Sequence, residues 1–325
     1  MLLKKISCFL AIVSVFLSCN NDNNAPKTQN KAVTKLTQTV PQKRFLFDAT
    51  KAETAGNADW VISENSSNTP LRFASPNQST VTANTPETYW RGGLSSWGIA
   101  LVKGGHYVES LVSGGTITYG NASNTQDLSK FDVFVVDEPN TLFTSAEKTA
   151  IINFVKNGGG LFMIADHNVS DRNNDGNDSP AIWNDLMSNN SVQTNPFGLA
   201  VELTNFSQTS SNVLVDPSNT IVNGIVGAVT QLKFNNGASI KITPTANATA
   251  KGLIWKTGIA KTSTTNIMFA SATYFNGRIV LLTDSSPSDD GTGNPNDTLY
   301  PGWTDLSGNH IRLHMNASYW LAKLQ

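Results

Sequence analysis

The chain has very little cysteine. Its 325 residues include only Cys8 and Cys19, and both fall within the first 19 residues. The rest of the chain can form no internal disulfide and has no thiol nucleophile. Charged residues make up only 14% of the sequence, with a formal net charge of −1. This balance gives no electrostatic basis for binding nucleic acid.

Apolar runs long enough to span a membrane are also lacking. The N-terminal run, residues 6–17, follows Lys4 and Lys5 and precedes Ser18. A positively charged start, a short apolar run and a small residue are typical of a secretory signal peptide. The apolar run is too short for a stable membrane span. Cys19 directly after Ser18 resembles a bacterial lipobox, which implies cleavage before Cys19, lipidation of that residue, and anchoring at the bacterial outer membrane or cell surface. An ordinary signal peptide with an incidental cysteine is the alternative.

The next segment has almost no apolar side chains. Residues 20–42 are rich in Asn, Thr, Gln and Lys, a composition that favours a flexible tether over a packed structure. No second segment of this kind follows, so we expect residues 43–325 to form a single domain. Without Lys4 and Lys5 the protein carries 21 basic and 24 acidic residues.

Residues 131–171 form the clearest structural unit. An apolar run at 133–136 predicts a strand buried on both faces. Thr144 and Glu147 match a capping box, which predicts a helix that begins there and ends at the glycines of 158–160. A second apolar run at 161–165 completes a βαβ unit, whose crossover should be right-handed.

Several other elements can be read from spacing. Residues 45–47 predict a first strand and 107–111 a second, while Asn276-Gly277 between two apolar runs predicts a hairpin. A closing helix should begin near Asn309. The spacing of the apolar residues over 88–102 predicts one further helix, with its tryptophans in the core.

Four predicted strands end in acidic residues. These are Asp48, Asp137 with Glu138, Asp166 with His167, and Asp284. In an open parallel sheet, ligands bind outside the carboxyl ends of the strands. Carboxylates gathered there require a cation, a proton or a substrate group to offset their repulsion. Some could instead cap the helices that follow.

The loop after Asp166 is the most polar part of the chain. Asp171, Asn173, Asp175 and Gly176 match the opening of a calcium loop. The match fails later, because Ile182 stands where a bidentate Glu is required. Calcium binding and ordinary Asp/Asn turn chemistry both remain open.

The order of these elements resembles the class I glutamine amidotransferase-like superfamily, in particular its ThuA-like and related secreted branches. The resemblance rests on the strand that ends at Asp48, LSKFDVFVVDEPN, NGGGLFMIAD, GRIVLLTDSS and NHIRLHMNASYWLA. It implies a doubly wound, mostly parallel α/β sheet with helices on both faces and an antiparallel edge hairpin. It does not carry over glutaminase chemistry, which needs a cysteine nucleophile that residues 43–325 lack.

Three functions are compatible with these residues, the substrate class being an extracellular polysaccharide, glycan or ester. The first is a metal-assisted hydrolase in which Asp166, His167, Asp284 and His310, with Asp48 nearby, hold a divalent cation. The second is a hydrolase with Ser285 as nucleophile and His310 as base. The third is a non-catalytic surface protein that binds a glycan or peptide through calcium-ordered loops, with the lipid anchor as its only contact with the membrane.

Overall fold

The computed structural model describes residues 41–293 and 300–325. The predicted signal peptide, Cys19 and nearly all of the predicted tether lie outside these described residues. No helix among the described residues is long and apolar enough to cross a membrane.

A nine-stranded sheet forms the centre of the domain. Its parallel part is made of β1 (Arg44–Ala49), β2 (Tyr107–Val112), β3 (Val133–Asp137), β4 (Gly160–Ile164) and, late in the chain, Gly277–Leu282. The antiparallel part comprises β5 (Leu199–Ser210), β8 (Leu232–Ile242), β9 (Lys251–Trp255) and β10 (Ile267–Tyr274). Two short strands, β6 (Asn223–Gly224) and β7 (Gly227–Ala228), pair separately, so Gly277–Leu282 is β11.

The strand order explains the architecture. Hydrogen bonding runs β2-β1-β3-β4-β11-β10-β8-β5, with β9 also paired to β10. All pairs from β2 to β11 are parallel, and the pairs beyond β11 are antiparallel. The chain starts at β1, moves outward to β2 and returns to β3 on the other side. The reversal at β1 is the topological switch point where open sheets bind ligands.

Helices cover both faces of the sheet. They are α1 (Ser95–Lys103), α2 (Ser145–Lys156), α3 (Ser179–Ser188) and α4 (His310–Leu321). Residues of α1 and α4 share one core with Phe45 and Phe47, whereas α2 and α3 share the other with Leu46. Successive residues of a strand point to opposite faces, so a continuous apolar run serves both cores. The predicted doubly wound fold is confirmed.

The predicted capping box starts α2. The Thr144 hydroxyl accepts the Glu147 amide at 3.3 Å, and the Glu147 carboxylate accepts the Thr144 amide at 2.8 Å. Two amide groups that no helical carbonyl can reach are thereby satisfied. α4 also begins where the sequence predicted, with Asn309 before its first residue.

The helix predicted over 88–102 is shorter than expected. α1 begins only at Ser95. Gly92 has φ +140°, which is not helical, and its backbone lies against the Val61 carbonyl. A Cβ at residue 92 would be only 2.4 Å from that oxygen. Trp90 still lies in the core, and its indole donates to the Pro76 carbonyl at 2.7 Å. The apolar spacing therefore predicted correctly that Trp90 is buried, but it predicted too early a start for the helix.

The hairpin predicted at Asn276-Gly277 is confirmed with its turn shifted by one residue. Tyr274 pairs with Gly277, so Phe275 and Asn276 make the turn. Gly277 is already the first residue of β11. A Cβ there would lie 1.9 Å from the Val155 carbonyl, so close approach to α2 explains the glycine.

Candidate functional site

The carboxyl edge of the parallel strands gathers the predicted acids. β1, β3, β4 and β11 are neighbours in that order. Asp48, Glu138, Asp166 and Asp284 are each at most 4% exposed. The prediction that acids from these strand ends share one edge is confirmed.

One arginine connects the acids of β3 and β4. The Arg172 guanidinium donates from Nε to Glu138, from Nη2 to Glu138 Oε2 at 3.2 Å, and from Nη2 to Asp166 Oδ2 at 3.0 Å. Its Nη1 donates to Asn57 Oδ1 at 2.5 Å. Charge-assisted bonds of this kind offset the repulsion between the carboxylates. Arg172 lies within the polar loop after Asp166, but its position in the sequence did not indicate these contacts.

The same cluster reaches β11 and the solvent. Ser285 Oγ donates to Glu138 Oε2 at 2.7 Å. At the other end, His167 Nδ1 lies 2.7 Å from Asp166 Oδ2. We call this chain of Ser285, Glu138, Arg172, Asp166 and His167 the Arg172 network. The His167 side chain is the most exposed of the five, at 23%.

The contact with Asp166 fixes the state of His167. Nδ1 must donate for this bond to form when Asp166 is ionised, which leaves Nε2 for a ligand or a proton. The hydrogen bond to Asp166 raises the pKa of His167 above its usual value. Burial, reinforced by the Glu138 charge, raises the pKa of Asp166 to about 7. The protonation states of the two groups are therefore linked.

Glu138 is held in an unusual backbone conformation. Its φ is +46°. This is the left-handed region of backbone conformation, which residues other than glycine rarely adopt. Asn140 Nδ2 donates to the Glu138 carbonyl at 2.8 Å, and Asn140 Oδ1 accepts the Arg172 amide at 3.0 Å. Asn140 thus fixes the loop after β3 and the loop after β4 against one another.

Asp137 lies beside this cluster in a different environment. It is 2% exposed, and neither carboxylate oxygen makes a hydrogen bond of good geometry within the described residues. Burial, and then the Glu138 charge, raise its pKa well above the usual value, although the nearby Ser288 hydroxyl opposes the shift. Ser288 itself contacts His314 Nε2 at 3.1 Å. Burial of Asp137 therefore favours its neutral form.

The Asp284 carboxylate binds backbone amides of two other segments. It accepts the Ser286 amide at 2.9 Å and the Asn235 amide at 2.6 Å. Burial raises its pKa. Its two oxygens therefore hold the backbone of β8 and of the loop after β11.

His310 does not join the site as predicted. Its Nδ1 lies 2.5 Å from the Gly302 carbonyl, and its Nε2 accepts the Lys233 amide at 3.3 Å. With both ring nitrogens on backbone atoms, His310 can neither coordinate a cation nor deprotonate Ser285. The predicted Ser285–His310 pair is therefore wrong, because the Ser285 hydroxyl is directed to Glu138.

The donor set does not fit the predicted metal centre. Within residues 41–293 and 300–325, no three His, Cys, Asp or Glu side chains are placed to hold a metal ion. Asp166 is bound by the Arg172 cation, and His310 faces backbone. The described residues thus do not form the four-ligand centre of Asp166, His167, Asp284 and His310.

Asp48 lies beside a second buried carboxyl group, that of Glu53. Burial raises the pKa of both groups, and the Asp48 charge raises that of Glu53 further. Asp48 Oδ2 and Glu53 Oε1 have no hydrogen-bond partner among the described residues, and both residues are at most 2% exposed. Two carboxyl groups buried together repel each other unless at least one is protonated. Asp48 is therefore half of a buried acid pair, and its role as a metal ligand stays a prediction.

The predicted calcium loop has a compact backbone. Asp171 accepts the Asp175 amide at 3.1 Å and the Gly176 amide at 2.8 Å, and Gly176 has φ +91°. Asp178, near the end of this loop, caps α3 and accepts a hydrogen bond from the Ala181 amide at 2.9 Å. Such turns form with or without a cation, so calcium binding stays a prediction.

Comparison with known proteins gives similarity only at the level of structure. No protein-family model matches the chain, and no curated protein matches it. The mmIFT52 N-terminal domain is 13% identical, with a TM-score of 0.49 over 86% of this chain and 97% of that one. Proteins described as ThuA-like from Parabacteroides merdae and Bacteroides uniformis are 11% and 12% identical, with TM-scores of 0.45 and 0.40. They cover 87% of this chain each, and 91% and 92% of their own. These similarities show neither the family of this chain nor its activity.

Proposed function

We propose that this protein is an exported, lipid-anchored hydrolase that cleaves an ester bond on a neutral extracellular polysaccharide, with His167 as its general acid–base residue. The observation that carries the proposal is the 2.7 Å contact between His167 Nδ1 and Asp166 Oδ2 at the carboxyl edge of the sheet. A carboxylate that orients one imidazole nitrogen leaves the other for proton transfer.

The chemistry needs only groups that the chain supplies. Neutral His167 accepts a proton through Nε2 from a water molecule, whose oxygen adds to the ester carbonyl carbon. The carbon–oxygen bond to the alcohol then breaks, and the imidazolium returns its proton to the leaving oxygen. Arg172 holds Asp166 in place throughout, so the imidazole keeps its orientation.

The charges around His167 favour a neutral substrate. Glu138, Asp166 and Asp284 contribute buried carboxyl groups, against which Arg172 is the cation of the network. A phosphate ester or an acidic glycan would meet repulsion there. This supports an uncharged polysaccharide ester over a charged substrate.

The N-terminal sequence supports the export part of the proposal. Lys4, Lys5, the apolar run and Cys19 match a lipoprotein signal. A polysaccharide outside the cell is a substrate that an anchored surface protein can reach.

Non-catalytic binding of a glycan or peptide is the second candidate. It is favoured by the positive φ of Gly176 and the amide bonds to Asp171, which give the loop the compact turn that calcium loops use. In that case a calcium-ordered loop would present His167 and Arg172 as contact residues.

The two candidates are separated by one measurement. We expect the full chain to release acetate from acetylated xylan, with a rate that rises with pH through the pKa of His167, because only the neutral imidazole accepts a proton. His167→Ala should lower kcat/KM by about 10²–10⁴-fold, and Asp166→Asn should both lower the rate and move the profile to lower pH. Asn177→Ala, a change in the same loop, is the control and should keep the wild-type rate.

The outcome against catalysis is equally distinct. Binding of acetylated xylan without acetate release, or release that is unaffected by His167→Ala, would rule out His167 as the acid–base residue.

A further inference from the structure

An open groove lies at the opposite end of the sheet from the Arg172 network. It has a volume of about 570 Å³ and lies at the amino ends of β1 and β2. We call it the His106 groove; it is lined by Gln42, Phe73, Asn77, Gln78, Ser79, Val102, Gly105, His106 and Tyr107. Its volume is in the range of cavities that hold small ligands.

His106 supplies a hydrogen-bond donor in the groove. Its Nδ1 accepts the Lys43 amide at 3.3 Å, so the proton of a neutral ring is on Nε2. Burial lowers the pKa of His106 to about 4, which keeps the ring neutral. His106 is 4% exposed and is one of the residues that line the groove. Its neutral ring therefore offers a ligand a hydrogen-bond donor and not a positive charge.

Two aromatic rings form the apolar part of the groove. Phe73 is 51% exposed, and the Arg72 guanidinium lies 4.9 Å from the centre of the Phe73 ring. The Arg44 guanidinium lies 4.3 Å from the centre of the Tyr107 ring. Contacts with these cations fix the rings in place.

The groove carries no net charge of its own. None of its nine lining residues is charged when His106 is neutral. The two arginines behind the rings both pair with Glu109, at 2.7 Å from Arg72 and 3.8 Å from Arg44. The lining therefore offers no charged side chain to an ionic ligand, whereas amide and hydroxyl groups are available from Gln42 and Ser79.

We propose that the His106 groove binds a neutral oligosaccharide. A sugar ring offers an apolar face of C–H groups for Phe73 and Tyr107, and its hydroxyl oxygens accept from His106 Nε2. Rings for the apolar face and a few convergent polar groups for orientation are the usual composition of such a site. The groove is separate from His167, which lies at the carboxyl edge, so binding here does not depend on the proposed esterase activity.

The test is titration calorimetry on the full chain with cellohexaose, xylohexaose, mannohexaose and maltohexaose. We expect at least one of these to bind. Phe73→Ala should weaken that binding by about tenfold, the equivalent of 1.4 kcal/mol at 25 °C. Ser79→Trp, which places a bulky side chain at the groove, should abolish it.

The chain offers a matched control for the loss of an aromatic ring. Phe275 is 69% exposed, and the Lys156 ammonium lies 4.9 Å from its ring centre, yet it is not part of the groove. Phe275→Ala should leave binding unchanged, and titration of His167→Ala should give the wild-type affinity if the two sites are separate.

Three outcomes would overturn the proposal. These are no binding of any of the four hexasaccharides at millimolar concentration, equal binding by wild type and Phe73→Ala, and equal loss of binding in Phe275→Ala. Binding of a polar peptide with the same dependence on Phe73 would replace carbohydrate with protein as the ligand.

Discussion

The acid pair of Asp48 and Glu53 predicts that Asp48→Asn stabilises the protein at neutral pH. Asp48 Oδ1 accepts a hydrogen bond from Thr50 Oγ1 at 2.9 Å, and Oδ2 has no hydrogen-bond partner among the described residues. Asparagine can keep the bond to Thr50 through its carbonyl and place its amide beside the Glu53 carboxyl group. The substitution removes the charge with little change in shape.

The expected magnitude follows from the pKa. Burial raises the pKa of Asp48 from 3.8 to about 6. The folded protein therefore binds more protons than the unfolded chain between these values, and the stability this contributes is present below pH 4 and lost as the pH rises through 6. At about 1.4 kcal/mol per pH unit, ionised Asp48 costs on the order of 3 kcal/mol at pH 8.

Urea unfolding followed by tryptophan fluorescence is the assay. We expect Asp48→Asn to match the wild type near pH 4 and to exceed its free energy of unfolding by about 3 kcal/mol at pH 8. Asp127→Asn is a control of opposite sign, because Asp127 accepts from Thr118 at 2.6 Å and from the Gly120 amide at 2.9 Å, and such bonds hold its pKa low. That variant should be destabilised at pH 8.

An equal loss of stability at pH 4 and pH 8 in Asp48→Asn would contradict this prediction. It would mean that the hydrogen bonds of Asp48 matter more to folding than its charge.

Two further predictions concern the N-terminus and the Asp171 loop. Cys19→Ala should move the protein from the membrane fraction to the soluble fraction without changing its melting temperature; a wild-type protein without an acyl group by mass spectrometry would contradict this. If the Asp171 loop binds calcium, chelation should lower the melting temperature, since an ion bound only by the folded state stabilises it. Asp175→Ala should remove that dependence, and an unchanged melting curve in chelator would leave the loop as a plain turn.

The fold class and the sheet edge that carries the candidate site can both be read from local patterns in the sequence. Continuous apolar runs give β3 and β4, the capping box gives α2, and both follow from contacts within a few residues. Acids directly after these runs had to lie at the carboxyl ends, because parallel strands share one direction. The edge of the sheet that carries the site was therefore predictable.

Tertiary structure decided which side chains meet at that edge. Arg172 joins Glu138 to Asp166 across 34 and 6 residues of the chain, and no local pattern reports a contact of that separation. His310 was placed correctly in the first turn of α4, yet its ring turns to the Gly302 and Lys233 backbone. Which atom a side chain reaches depends on loops packed from distant parts of the chain.

Close backbone approach was likewise invisible in the sequence. The glycine at 92 delays α1 because Val61 lies against it, and the glycine at 277 shifts the hairpin turn because α2 lies beneath it. The carboxyl pair of Asp48 and Glu53 depends on burial, which favours a protonated carboxyl group over two charges. Local spacing fixes where elements form, whereas packing fixes which groups are neutral, charged or paired.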